Sequence, residues 1–292
     1  MPQMRRVLLV GLILLAVWIA FEVIRFPDVA KLAKERPTTT AFMEQRKKEL
    51  RRAGKSDALE WRWVPYDRIA SSLRRGVLVA EDNSFYEHEG VDTEGMREAL
   101  ERNWKRKRLT AGGSTITQQL AKNLYLSRSR NPLRKIREYF IARSLEKHLT
   151  KKRILEIYLN VVELGERVYG AEAGARHYFG KSAAALSARE AALLAGCLPN
   201  PRLMNPSQPN KRLRFRQAMI LRRLRRWGYL AEEQVVRTDR TDRTDRTATT
   251  ETTETTETTE TTETTETTAT TETTVTETVS TDTVSTETSG TQ

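Results

Sequence analysis

Apolar positions follow two different patterns along this chain. Residues 7–21, VLLVGLILLAVWIAF, are 15 apolar residues without a charge, and Val23 and Ile24 extend the span to 18 positions broken only by Glu22. At 1.5 Å per helical residue the span is roughly 27 Å long, enough for the hydrocarbon core of a bilayer. Beyond Trp61 the apolar residues recur every three or four positions, the period of an amphipathic helix, and few runs alternate with period two. Ile69, Leu73, Val77 and Ala80 draw one helix face that stops before Glu81, placing that acid at a helix end or on the loop beyond. After the Gly112 and Gly113 hinge, Ser114 is placed to cap the next helix. There Ile116, Leu120 and Leu124 form one stripe, and Ser114, Gln118 and Lys122 form another about 200° around the axis.

Pro132 opens a further helix in its first turn, behind an Asn131 cap. Leu133, Ile136, Phe140 and Ser144 line one of its sides. Glu138 falls instead among Ala142, Leu145 and Leu149, with Arg134 one turn back; a carboxylate there is half buried and needs a cation or a ligand. An Arg134–Glu138 pair at i,i+4 satisfies that need as simply as a functional role does. ILEIYLN (154–160), the small-residue helix AEAGARHYFG (171–180) and a capping box from Ser187 to Glu190 leading into AALLAGCL follow. Residues 211–227 read as a basic helix with Phe215, Met219 and Leu224 inward.

The chain therefore divides into an N-terminal transmembrane anchor (1–24), a charged juxtamembrane connector (25–60), a mainly α globular domain (61–236) and a tail (237–292). The tail repeats TTE and holds too little apolar surface to offset chain entropy, so it reads as disordered. Arg5 and Arg6 before a short apolar run also suit a cleaved signal peptide. Cleavage favours small residues, however, and Trp18 occupies the −3 place of the best candidate site, which favours a retained anchor.

Charge changes the picture. The whole chain is +12, and the tail carries 4 Arg against 13 acidic residues, which leaves residues 1–236 at +21. A body that basic expects an anionic partner such as nucleic acid, anionic lipid or a phosphorylated substrate. The single Cys197 excludes an intramolecular disulfide and a cysteine zinc cage, and sits in an apolar run as a small core residue. Three scattered histidines argue against a histidine metal site. Ser144 to Lys147 fits S-x-x-K, but it lies inside a helix and no K-T-G follows, so it is not read as a nucleophile.

Two stretches concentrate chemistry: EDNSFYEHEGVD (81–92) and GGSTITQQLAK (112–122). With RKIREYFIARSLEKHLTKKRILEIYLN and GAEAGARHYFGKSAAALSAREAALLAGCLPNP, in this order, they resemble the peptidoglycan glycosyltransferase family, glycosyltransferase family 51, in its membrane-anchored monofunctional form. The likeness runs from about Trp61 to Gln234. It implies a lysozyme-like, mainly α fold with a large lobe and a small membrane-dipping jaw. It implies polymerisation of lipid II into β-1,4 glycan, with inversion and release of undecaprenyl diphosphate, by a single-pass protein of the bacterial inner membrane. The catalytic domain would lie on the periplasmic side, without transpeptidase activity. Glu81 matches the family's general base and Glu138 its second carboxylate. Asp82, Phe85, His88, Ser114, Thr115, Gln118, Gln119, Lys122, Arg130, Arg134, Lys135 and Arg137 match substrate-binding positions. Phe85 and His88 would shape the Glu81 loop, and Lys122 and Arg130 would neutralise the departing diphosphate. No cofactor is required, although the second carboxylate leaves room for a divalent cation, magnesium or manganese, at the diphosphate. The expected partners are lipid II, the growing glycan, the membrane, and other cell-wall synthesis or division proteins, with no nucleic acid.

Residues 102–109, RNWKRKRL, suit an anionic bilayer surface or a solvated basic loop. Two other functions fit part of the sequence. A lysozyme-like hydrolase would use Glu81 with a second carboxylate to activate water, but would have no diphosphate to hold. A basic, membrane-anchored binding protein would not need acids set among apolar residues.

Overall fold

The computed structural model describes residues 2–106, 113–129 and 131–230. Among these the chain forms ten α-helices and one pair of two-residue strands. In order they are α1 (Pro2–Ile24), α2 (Ala41–Arg52), β1 (Glu60–Trp61), α3 (Ser71–Glu81), α4 (Thr93–Arg106), α5 (Ile116–Tyr125), α6 (Pro132–His148), α7 (Lys151–Val161), β2 (Val168–Tyr169), α8 (Ala171–Phe179), α9 (Ala188–Cys197) and α10 (Lys211–Arg226). The expected disordered tail and the last three residues of RNWKRKRL, 107–109, lie outside the described residues. Within α1, Gln3–Glu22 is long and apolar enough to cross a membrane and is not buried against the body.

Helix α7 lies at the centre. Ile154, Leu155, Ile157, Tyr158, Leu159, Asn160 and Val161 are all buried, so its C-terminal two turns are covered on every side. Helix α5 packs against α6, α7 and α2, while α9 packs against α3 and α10. Residues 25–60, which the sequence leaves without a definite structure, hold α2 and contribute Val29, Leu32 and Met43 to the same core. Cys197 is buried there too, as its apolar context suggests.

Asn160 ties the strand region to this centre. Its Oδ1 accepts from Val64 N at 2.9 Å, and its Nδ2 donates to Val64 O and Glu156 O, both at 2.9 Å. Its backbone oxygen accepts from Trp61 Nε1 at 2.7 Å. Gly170, at φ 81°, passes so close that a Cβ there would stand 2.4 Å from the Asn160 carbonyl oxygen. Here the left-handed backbone and the tight approach both require glycine.

Local signals are realised at several helix ends. Asn131 caps α6 with Pro132 in its first turn, the Ser187–Glu190 box caps α9, and α3 ends at Glu81. Two expectations are corrected. Thr115, not Ser114, caps α5, because Gln118 lies three residues on and closes a reciprocal capping box with it. Phe215 is 65 % exposed; Leu224 is buried as expected, joined by Leu213, Ile220 and Leu221, with Met219 partly buried against the core. On α6, Glu138 is buried among Ala142, Leu145 and Leu149 as its position on the helix suggests, with Ile141 beside them, and Leu133, Ile136 and Phe140 are exposed. That helix carries apolar residues on two sides, and packing selected the side that brings Glu138 in.

Replacing Asn160 with Leu strands the Val64 N–H and C=O in the core. We expect a loss of about 2–4 kcal/mol, read from chemical denaturation of the detergent-solubilised full chain.

Candidate active site

The last residue of α3 puts a carboxylate where four other helices meet. Glu81 Oε2 accepts from Gln119 Nε2 on α5 at 3.2 Å, and Oε1 accepts from Arg216 Nη2 on α10 at 3.2 Å. Tyr158 on α7 donates its hydroxyl to Gln119 Oε1 at 2.9 Å, which turns the amide nitrogen toward Glu81. Burial pushes the Glu81 carboxyl above the usual carboxylate range; Gln119, Arg216 and Lys122 oppose the rise and Asp82 adds to it.

Asp82 turns the other way. Its Oδ2 accepts from Ile116 N at 2.8 Å, at the start of α5. His88 Nδ1 accepts from Gly90 N at 3.1 Å, so Nε2 carries the proton and donates to Asp82 at 3.1 Å. Phe85 is fully buried beneath this loop, with the Lys151 ammonium 4.5 Å from its ring centre. Thr115 accepts from Gln118 N while its own hydroxyl donates to Gly90 O at 2.6 Å. The loop after Glu81 is thereby stitched to the N-terminus of α5.

A cationic group lies on the other side of α5. Glu138 is 2 % exposed and is gripped by both Arg134 and Lys135. Lys135 also donates to Ser114 Oγ at 3.1 Å. Burial pushes the Lys122 ammonium below its ordinary value; Glu138 resists this, while Arg134, Lys135 and Arg128 add to it. Phe42 of α2 lies beside both Lys122 and Arg128, with its ring centre 4.7 Å from the Arg128 guanidinium carbon.

Two clefts adjoin these groups. One of about 370 Å³ is lined by Phe42, Gln119, Lys122, Arg128, Arg134 and Arg202 among others. The second, of about 590 Å³, is lined by Glu81, Asp82, Glu87, His88, Ser114 and Thr115, with further acids at Asp92, Glu94 and Glu98. Gln119 lines the cationic cleft and Glu81 the acidic one, and the hydrogen bond between them joins the two.

Most of the expected site residues are therefore brought together, with exceptions. Gln118 is buried and its amide closes the capping box, accepting from Thr115 N at 3.2 Å. Arg137 pairs with Glu22 of α1 at 2.9 Å. Arg130 lies outside the described residues. Both oxygens of Glu138 already accept from cationic side chains, and among the described residues no group of three or more His, Cys, Asp or Glu could hold a metal ion. The described residues do not by themselves form a metal centre. Sequence reasoning missed Arg216, Tyr158, Arg128 and Arg202. Arg216 is one of eight basic residues on α10, and nothing local distinguishes it.

The transglycosylase family model matches residues 46–225, beginning ahead of Trp61 and taking in most of α2. A biosynthetic peptidoglycan transglycosylase of Nitrosospira multiformis is 48% identical over 188 residues, covering 64% of this chain and 82% of its own length. Its counterpart in Laribacter hongkongensis is 43% identical over 211 residues, 72% of this chain and 92% of its own. The matched span holds Glu81, the capped start of α5 and the Glu138 cluster, and it exceeds half the sequence: the chain belongs to the transglycosylase family.

Proposed function

We propose that this peptidoglycan glycosyltransferase polymerises lipid II, with Glu81 as the general base and the neighbouring cations as the seat of the leaving diphosphate. The observation that carries the reading is the Glu81–Gln119 hydrogen bond, which sets a base at the seam between an acidic and a cationic cleft. An acceptor sugar in the acidic cleft presents its 4-hydroxyl to Glu81, which takes the proton as the oxygen forms a bond to C1 of the donor. The bond from C1 to the phosphate oxygen breaks, and the electron pair leaves with the lipid diphosphate. Attack opposite the leaving group converts an α-linked diphosphate to a β-glycoside.

Negative charge develops on the leaving oxygen, and Lys122, Arg134 and Lys135 stand preorganised to receive it. Glu138 keeps Arg134 and Lys135 in place while the cleft is empty of phosphate. Phe85 and His88 hold the Glu81 loop, as the buried ring and the Asp82 contact support. Hydrolysis of finished glycan would leave this cationic cleft without a task.

A lipid-linked substrate must be met at a membrane. Helix α1 fits an anchor, and α4 and α6 leave Leu100, Trp104, Ile136 and Phe140 exposed, side chains suited to dip into the interface. On this reading the body stands on the outer face of the inner membrane, where lipid II is displayed.

The test is incubation of the purified full chain with labelled lipid II, followed by sizing of the product. Glu81→Gln should lose roughly 10²–10⁴-fold in polymerisation while still binding lipid II; parental rates in that variant would remove Glu81 from the chemistry. Lys122→Ala should lower turnover at saturating lipid II by about 10²-fold or more, with Lys122→Arg recovering part of it. Unchanged turnover would exclude Lys122 from the leaving-group seat.

A further inference from the structure

We propose that Arg216 is a positioning residue for Glu81, holding its carboxylate ionised and aimed, as a proton-abstracting group must be. The proposal rests on the reading of Glu81 as the base. Arg216 lines neither of the two clefts described above, and its contact with the site is through Glu81. Its guanidinium is held at two points: Nε donates to Gly196 O at 2.8 Å and Nη2 to Glu81 Oε1 at 3.2 Å. Gly196 belongs to α9, which packs against both α3 and α10. A Cβ at that position would come within 2.9 Å of Leu213 Cδ1 and 3.5 Å of Arg216 Cβ, so glycine lets α10 lie close enough for the fork to reach both acceptors.

The groups around Glu81 explain why a cation is needed. Burial and the adjacent Asp82 both favour the protonated form. The thiol of Cys197 on α9 is pushed up to about 12 and the Tyr158 hydroxyl on α7 is also pushed well up, so both are neutral near neutral pH. The cations acting on Glu81 are Lys122 on α5 and Arg216 on α10. Lys122 is shared with Glu138 and faces the cleft assigned to the diphosphate. Arg216 is the one that donates directly to the carboxylate. With Gln119 on the second oxygen, the group is fixed in orientation while each oxygen keeps lone-pair capacity for a sugar hydroxyl.

The test is the pH dependence of kcat/KM for polymerisation of labelled lipid II by the full chain in detergent, comparing parent, Arg216→Gln and Arg216→Lys. A base is active when deprotonated, so raising its pKa moves the acid limb to higher pH. In Arg216→Gln the limb should move up by about one pH unit, with the loss greatest at the acid end, recovery as pH rises and little change in KM. In Arg216→Lys the limb should stay nearer the parental one, although one ammonium cannot serve Gly196 and Glu81 in the same fork. A limb coincident with the parental one in both variants, whatever the overall rate, overturns the proposal. Should Arg216→Gln fail to fold, as judged by thermal melting, Arg216→Met, which keeps an unbranched stem and removes the charge, decides: a limb moved to higher pH supports the proposal and a parental limb overturns it. Parental polymerisation by Glu81→Gln would remove the underlying reading, whereas an inactive Glu81→Gln with unmoved limbs removes only the role of Arg216.

Discussion

An ionised carboxylate inside a protein wall loses its hydration, and the surrounding structure must replace the lost water with fixed donors. Glu81 poses that problem at the end of α3. Donors arrive from α5 and α10, a tyrosine on α7 orients one of them, and a glycine on α9 lets the other approach. Five helices are thus coordinated around one side chain. Residual desolvation still lifts its affinity for a proton, which is the direction a general base requires, since an ordinary carboxylate is too weakly basic near neutral pH.

Charge is segregated on either side of this group. Acids crowd the cleft beside Glu81, and cations crowd the cleft beyond Gln119. The cations would repel one another if left alone. Buried Glu138 binds Arg134 and Lys135 at once and opposes the lowering of Lys122. A carboxylate in that role fixes the geometry of the cations, so little reorganisation would remain if they met an anion.

Thr115 shows how one small residue links the two halves. Its hydroxyl accepts from the first turn of α5 and donates to Gly90, while Asp82 reaches the Ile116 N–H of the same turn. The helix that carries Gln119 and Lys122 therefore cannot shift without moving the loop that follows Glu81. Asp82 and His88 are structural partners in this stitching, which is why two adjacent acids can hold different duties.

Local chemistry was legible in the chain itself. The apolar N-terminal span, the Asn131 cap with Pro132, the capping box at Ser187 and the end of a helix at Glu81 all depend on residues within a few positions of one another, and the folded chain keeps them. What periodicity could not decide was direction. Helix α6 has apolar residues on two sides, and α10 has Phe215 on one side and Ile220 on another; only packing against neighbours chose which to bury. Gln118 and Gln119 are adjacent and chemically identical, yet the 100° turn between them sends one into a cap and the other to Glu81. Arg216 lies 135 residues from the acid it holds. The order of residues determined which helices form and which acids and bases the site could draw on; tertiary structure alone decided which of them meet, because a hydrogen bond across helices depends on how their axes pack and not on any spacing along the chain.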